Sequence, residues 1–371
     1  MKKLLSLIIN RLKISPVFFG GGHCRRLFCC AIALFIALPL TGCGSSQEIF
    51  VYNATDYIDG TILRDFEKVT GIKVTYNTYD NATEMYRRFT ENPSLYDVII
   101  APDYMVSRLI SESAVTALDK SQISNYSLID DAYKKLAYDS ENRYSVPYMA
   151  GTLGIVYDAD RVVETPNSWE ALWNGVYSQE IIMLDSPRDA VAIGLKASNF
   201  SVNSVDKHQI DVAELKLLSQ LRHIKWFQTK ETKENIAQGR AILAMTRSGE
   251  AWSATQKGVA NGLLNIKYEI PKEGSVRFVD AMVIPTGAKN VSGAQKFINF
   301  LCQTDVALKN TQTLGYTPVQ REVKARLPEE MRKNTIIFPT AEQLARCSFL
   351  SYDAAAFHEY SKMWQQVRAL K

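Results

Sequence analysis

The chain has 371 residues, 46% of them hydrophobic, which is enough for bodies with real cores. Its 43 basic and 39 acidic residues sum to +4, but residues 1–42 hold six of the bases and none of the acids, so the remainder carries 37 against 39 and a formal charge of −2. That balance excludes nucleic-acid binding through bulk charge.

In chain order, the first segment reads as a leader. Lys2, Lys3, Arg11, Lys13, Arg25 and Arg26 precede an apolar run, Leu27–Leu40, broken only by Pro39. The run falls short of the ~20 apolar residues of a membrane-spanning helix, so it reads as a targeting segment. It ends in Leu40-Thr41-Gly42-Cys43, which resembles the lipobox of bacterial lipoproteins, where cleavage exposes Cys43 for lipid attachment. The bland alternative is an ordinary signal peptide with a chance cysteine. Residues 43–48 form a short tether. Of the cysteines outside the leader and Cys43, Cys302 lies on an apolar stripe with Phe297 and Leu301 and reads as a buried free thiol rather than a partner of Cys347.

The next hundred residues alternate. "EIFVY" reads as a strand, and Thr61–Val69 places Ile62, Phe66 and Val69 on one helical face before Gly71 stops it. "KVTYNTY" is a second strand, Met85 and Phe89 mark a helix, Asp97–Ala101 is a buried strand, and "DYMVSRLISES" is helical again. Such alternation predicts a parallel sheet with helices on its faces, whose ligands bind beyond the carboxyl ends of the strands. Residues 53–57 and 102–104 fall at such ends. From Tyr144 to Asp158 the pattern restarts as a strand pair, followed by a helix start at "TPNSWEALW", the strand "IIMLDS" and helices to Gln220. Tyr268–Pro285 reads as an extended crossing back, and "SGAQKFINFLC" as a helix. The C-terminal helix shows Phe357, Tyr360, Met363, Trp364 and Val367 on one side. Two lobes with at least two crossings make a hinge around a cleft.

Catalytic spacing is scarce: H-E-x-x-H, G-x-S-x-G and a phosphate-loop Gly-Lys-Ser/Thr are all missing, so no metal, cofactor or enzymatic activity is expected. What accumulates instead is acids beside aromatics at strand ends: Asp56 with Tyr57, Asp103 with Tyr104, Asp189 after Arg188, and Asp280 after Phe278. Each has a bland reading. Asp56 also suits a helix cap near Asp59, the aromatics suit a core, and Asp189 suits a partner for Arg188 or Arg247.

"VYNATDY", "FEKVTGIKVTYNTYDNATEMY", "YDVIIAPDYMV", "YSVPYMAGTLGIVYD", "PKEGSVRFVDAMVIPTGAKN" and "TLGYTP" together resemble the spermidine/putrescine-binding proteins of bacterial polyamine ABC importers, in order from about Ile49 to Pro339. The resemblance implies an α/β, two-lobed periplasmic-binding-protein type II fold, each lobe a mixed sheet flanked by helices. Lobe 1 would be 49–148 with 275–322, and lobe 2 would be 149–274 with 323–371. It further implies a periplasmic monomer that hands a polyamine to ABC permease subunits, and the lipobox pattern at Cys43 adds a lipid anchor.

Carried over by position, the family's Asn-Trp-Thr-Glu-Tyr stands as Asn53-Ala54-Thr55-Asp56-Tyr57, so the stacking Trp is gone. Tyr104 and Tyr316 keep the cleft tyrosines. Asp189 keeps one acid of a pair whose other member is Ser186, the Trp-x-Asp of the crossing is Phe278-Val279-Asp280, and Trp-Asn-Gly becomes Arg247-Ser248-Gly249. Asp56, Asp189 and Asp280 would meet ammonium groups, and Tyr57, Tyr104, Phe278 and Tyr316 the methylenes. Arg247 departs most: it could turn outward, pair with Asp189 and shorten the site, or greet the carboxylate of a zwitterion. Another small cationic or zwitterionic solute, or an interaction lipoprotein with a decayed pocket, are the alternatives.

Overall fold

The structure is a computed structural model that describes residues 48–371; the expected leader over 1–42, the lipidation of Cys43 and the tether up to residue 47 lie outside the described residues. Strand β1 (Glu48–Ala54) runs parallel to β2 (Lys73–Tyr79) on one side and β3 (Val98–Ala101) on the other. Helices α1 (Gly60–Thr70), α2 (Ala82–Glu91) and α3 (Asp103–Ser111) follow these strands in turn. Asp59, not Asp56, caps α1, accepting from the Thr61 N–H at 2.9 Å, and Gly71 ends it in the left-handed conformation. Ile62 and Phe66 form its buried face, whereas Val69, expected there too, is 72% exposed in the last turn.

The strand pair expected within Tyr144–Asp158 is one strand, β4 (Ser145–Asp158), buried along its whole length. The strand runs through Gly151, where glycine is required because a Cβ would lie 2.6 Å from the Phe278 ring. Pro147, which has no N–H to donate, sits where the register shifts at a bulge. The expected helix start at Trp169–Trp173 is a 3-10 turn, pinned by the Trp169 indole donating to the Gly274 carbonyl at 2.8 Å.

Beyond β4, strand β5 (Ile181–Leu184) is parallel to β6 (Ile224–Gln228) and β7 (Leu243–Arg247). The predicted crossing resolves into β8 (Ile266–Glu269) and β9 (Ser275–Val283). β9 lies antiparallel between β3 and the first half of β4, while the second half of β4 pairs with β7 and β8. The path is β2-β1-β3-β9-β4-β7-β5-β6, so β4 passes from one half-sheet into the other near Thr152 and Leu153. Helices α4 (Pro187–Ala197), α5 (Lys207–Gln220), α6 (Thr232–Ala237) and α7 (Ser248–Ala260) serve the second half. Against α4 and α5 packs the C-terminal helix Ala354–Ala369 with Tyr360, Met363, Trp364 and Val367 buried, as its periodicity predicts. This is the two-lobed mixed α/β architecture. Cys302 and Cys347 are free and buried.

Candidate functional site

The carboxyl ends of β1, β3, β5 and β7 meet at one cleft, where Ala54–Tyr57, Pro102, Leu184, Ser186 and Thr246–Arg247 share its wall. That is the place the strand rule assigns to a ligand. Tyr57 is fixed from behind: its carbonyl accepts from the Tyr148 hydroxyl at 2.8 Å and from the Asn53 amide at 3.2 Å. Its ring meets Tyr316 edge-on at 4.8 Å between centroids. Tyr316 reaches this position because residue 249 is glycine; a Cβ there would lie 2.2 Å from the Tyr316 ring.

On the cleft floor Arg247 donates to Asp189 at 3.2 Å and stands over the Phe278 ring at 5.4 Å. Burial works against its charge, but Asp189 and Asp280 outweigh burial and hold its pKa well above the ordinary value. Asp280 is 3% exposed, and its Oδ1 has no hydrogen-bond partner among the protein atoms. Tyr57 faces it without closing a well-formed hydrogen bond, and its hydroxyl also has no partner. Burial pushes the Asp280 carboxyl up to about 6, with Arg247 and Tyr57 pulling it down and Asp189 pushing it further up. Asp103 lies in the same cluster, accepting from the Tyr104 and Val279 N–H groups at 2.7 and 3.3 Å. Its carboxyl is pushed up to about 8, first by burial and then by Asp280.

Two other buried acids show what a purely structural carboxylate looks like here. Asp97 accepts from the Phe50, Lys289 and Asn290 N–H groups at 2.8–2.9 Å, and Asp139 from those of Arg143, Tyr144 and Ser145 at 2.9 Å. Both are saturated by backbone donors, as buried charge requires. Asp280 differs from both: it is buried, and its Oδ1 has no partner among the protein atoms.

At the cleft mouth the charges cross between lobes. Lys233, at the start of α6, bonds Asp56 at 3.0 Å and Glu250 at 3.3 Å. Lys230 bonds Asp80 at 2.9 Å, and Asp80 also accepts from the Thr55 hydroxyl at 2.8 Å. Asp56 adopts a left-handed backbone, φ 54°, a conformation that Asp tolerates better than most side chains. Its side chain is 65% exposed.

Of the nine residues singled out on sequence, Thr55, Asp56, Tyr57, Arg247 and Tyr316 line the cleft. Asp189, Phe278, Asp280 and Tyr104 stand one layer behind, grouped around Arg247. Arg247 pairs with Asp189 rather than turning outward, and Asp56 meets Lys233 rather than capping a helix. Sequence reasoning missed Lys230, Lys233, Glu250 and Asp80. The two lysines lie in "TKETKEN", a charge-dense run that on sequence is indistinguishable from solvated surface, and only the folded chain carries it across to Asp56 and Asp80.

Comparison with known proteins agrees with this geometry. Residues 61–340 match the family model of the bacterial extracellular solute-binding proteins. The spermidine/putrescine-binding periplasmic protein of Escherichia coli K12 is 29% identical over 339 residues, spanning 91% of this chain and 96% of its own length. The putrescine-binding periplasmic protein PotF of the same organism is 27% identical, with 88% and 92% covered. A solved structure from Listeria monocytogenes superposes with a TM-score of 0.84 at 30% identity, covering 88% of this chain and all of that one. The spermidine/putrescine ABC transporter substrate-binding protein of Streptococcus pneumoniae gives 0.72 at 32% identity, with 87% and 99% covered. With a cleft at the strand ends, acids and tyrosines around it and these relatives along its length, the chain belongs to the bacterial extracellular solute-binding proteins.

Proposed function

We propose that this protein captures a polyamine in the cleft and delivers it to an ABC importer from outside the cytoplasmic membrane, held there by lipid on Cys43. The observation that carries the reading is Asp280: a buried carboxylate with an unpartnered oxygen, flanked by tyrosines, is a poor structural element and a good acceptor for an ammonium group. Each charge-assisted bond to such a group is worth ~1.5–3 kcal/mol, and tyrosine faces add ~0.5–2 kcal/mol along a cationic chain. The names of the relatives point to the same ligand class. The zwitterion alternative is weaker, because Arg247, the group that would greet a carboxylate, already bonds Asp189.

In this reading Thr55, Asp56, Tyr57, Tyr104, Asp189, Arg247, Phe278, Asp280 and Tyr316 form the site. Residues 49–148 with 275–322 close against 149–274 with 323–371 as a monomer, and β4 and β9 act as the hinge. A thermal-shift screen of the purified protein against polyamines, amino acids and sugars tests it, since a ligand that binds only the folded state raises the midpoint. Response to polyamines alone supports the reading; response to amino acids or sugars alone, or to nothing, rejects it. The anchor is tested separately: labelled fatty acid should appear on the wild type and not on Cys43→Ser.

A further inference from the structure

Lys233 stands between two cavities. On one side is the cleft, a cavity of about 60 Å³, and on the other a cavity of about 320 Å³ opens beside α6 and α7. Asp56, Lys233 and Glu250 line both, so together they form the wall that divides them. One ammonium holds that wall: Lys233, its side chain 10% exposed, bonds Asp56 Oδ2 at 3.0 Å and Glu250 Oε1 at 3.3 Å. Burial works against its charge, but Glu250 and Asp56 outweigh burial and raise its pKa. Lys230, which bonds Asp80 at 2.9 Å, is 56% exposed and too well solvated to hold a wall in the same way.

A lysine side chain is an ammonium on a flexible four-carbon stem, the same unit that an aliphatic amine carries. Carboxylates that hold it can hold a ligand ammonium by the same charge-assisted bonds. Lys233 also has a second place to go. Glu234 lines the outer cavity, near enough for its charge to favour that of Lys233. Its Oε1 bonds Lys257 at 3.1 Å, and its Oε2 is buried with no partner among the protein atoms. Resting on the amine reading above, we propose that Lys233 is a displaceable stand-in for a ligand ammonium, competing with the ligand for Asp56 and Glu250. An amine that keeps one ammonium at the floor and brings another to the mouth takes these two carboxylates, and Lys233 swings to Glu234. The wall between the cavities moves outward, and the cleft lengthens to fit its ligand. An amine with a single ammonium at the floor leaves Lys233 in place.

Calorimetric titration of the purified protein with butylamine and spermidine tests this. Lys233→Met removes the competing ammonium, and spermidine affinity should rise about tenfold or more while butylamine affinity stays within about threefold of wild type. Glu234→Gln removes the acceptor for the displaced side chain and should weaken spermidine several-fold without affecting butylamine. A purely structural role for either residue would move both amines together. Unfolding midpoints show which variants are folded, and Lys233→Gln serves in place of Lys233→Met where that variant is not. A fall or no change in spermidine affinity on replacing Lys233, or an equal gain for both amines, would overturn the stand-in role and leave the amine reading intact. Binding of neither amine to wild type or to any variant would remove both.

Discussion

The floor and the mouth of the cleft are built from the same chemistry, acidic side chains paired with basic ones, yet they differ in surroundings. On the floor Asp189 and Asp280 are buried beneath Arg247, whose side chain is 22% exposed, and the Asp280 carboxyl has moved up to about 6. At the mouth Asp56 has a side chain 65% exposed, and the Lys230–Asp80 pair is 56% and 36% exposed. Coulomb energies scale inversely with the local dielectric, and salt screens exposed charges over a Debye length of ~10 Å but buried ones much less. Equal charges should therefore carry unequal weight, with the floor expected to dominate amine affinity and the mouth to modulate it.

The largest expected effect is on the floor. Arg247→Met leaves Asp189 buried without its cation, and breaking a buried pair from one side costs ~3–5 kcal/mol. Denaturant unfolding should show a loss of that order; a loss below ~1 kcal/mol would mean that the floor is no less screened than the mouth.

A second effect depends on pH. The ordinary carboxyl value for Asp280 is 3.8, and in the folded protein it sits at about 6. The folded state thus holds this proton more tightly than the unfolded chain does. Its ionisation costs the empty protein stability as pH rises from about 4 to about 6, and Asp103, pushed up to about 8, extends the same trend higher. A bound ammonium favours the ionised form, so amine affinity should fall as pH drops below about 6, by at most ~tenfold per unit for one proton. A flat affinity profile between pH 5 and pH 7.5 would detach Asp280 from the ligand.

The smallest effect belongs to the mouth. Lys230→Ala removes an exposed inter-lobe pair worth ~0.2–1 kcal/mol. Any change in ligand dissociation rate should be under ~fivefold and should fade in high salt. A larger, salt-insensitive change would show the pair to be an essential clasp.

How much of this could be read from the sequence follows from which forces are local. The strand and helix alternation of the first hundred described residues, the Gly71 stop and the buried face of the C-terminal helix are written in periodicity, and the structure shows them. The single course of β4 was hidden, because Gly151 and Pro147 punctuate a sequence regardless of what packs against them. Asp280 and Asp189 were legible through motif position. That Arg247 would pair with Asp189 was one of three open alternatives, and only the distance decides it. Lys233 and Glu250 were illegible, since Lys233 meets Asp56 across 177 residues of chain and Glu250 across 17, which no local pattern records.

The claim that the buried floor anchors an amine is tested most directly by one paired calorimetric titration with 1,4-diaminobutane at pH 7, comparing Asp280→Asn with Asp56→Asn. Removing the buried carboxylate should cost ~2–4 kcal/mol, roughly 30-fold to 1000-fold in affinity, and removing the exposed one ~1 kcal/mol or less. Unchanged affinity in Asp280→Asn, or a larger loss in Asp56→Asn, would contradict it.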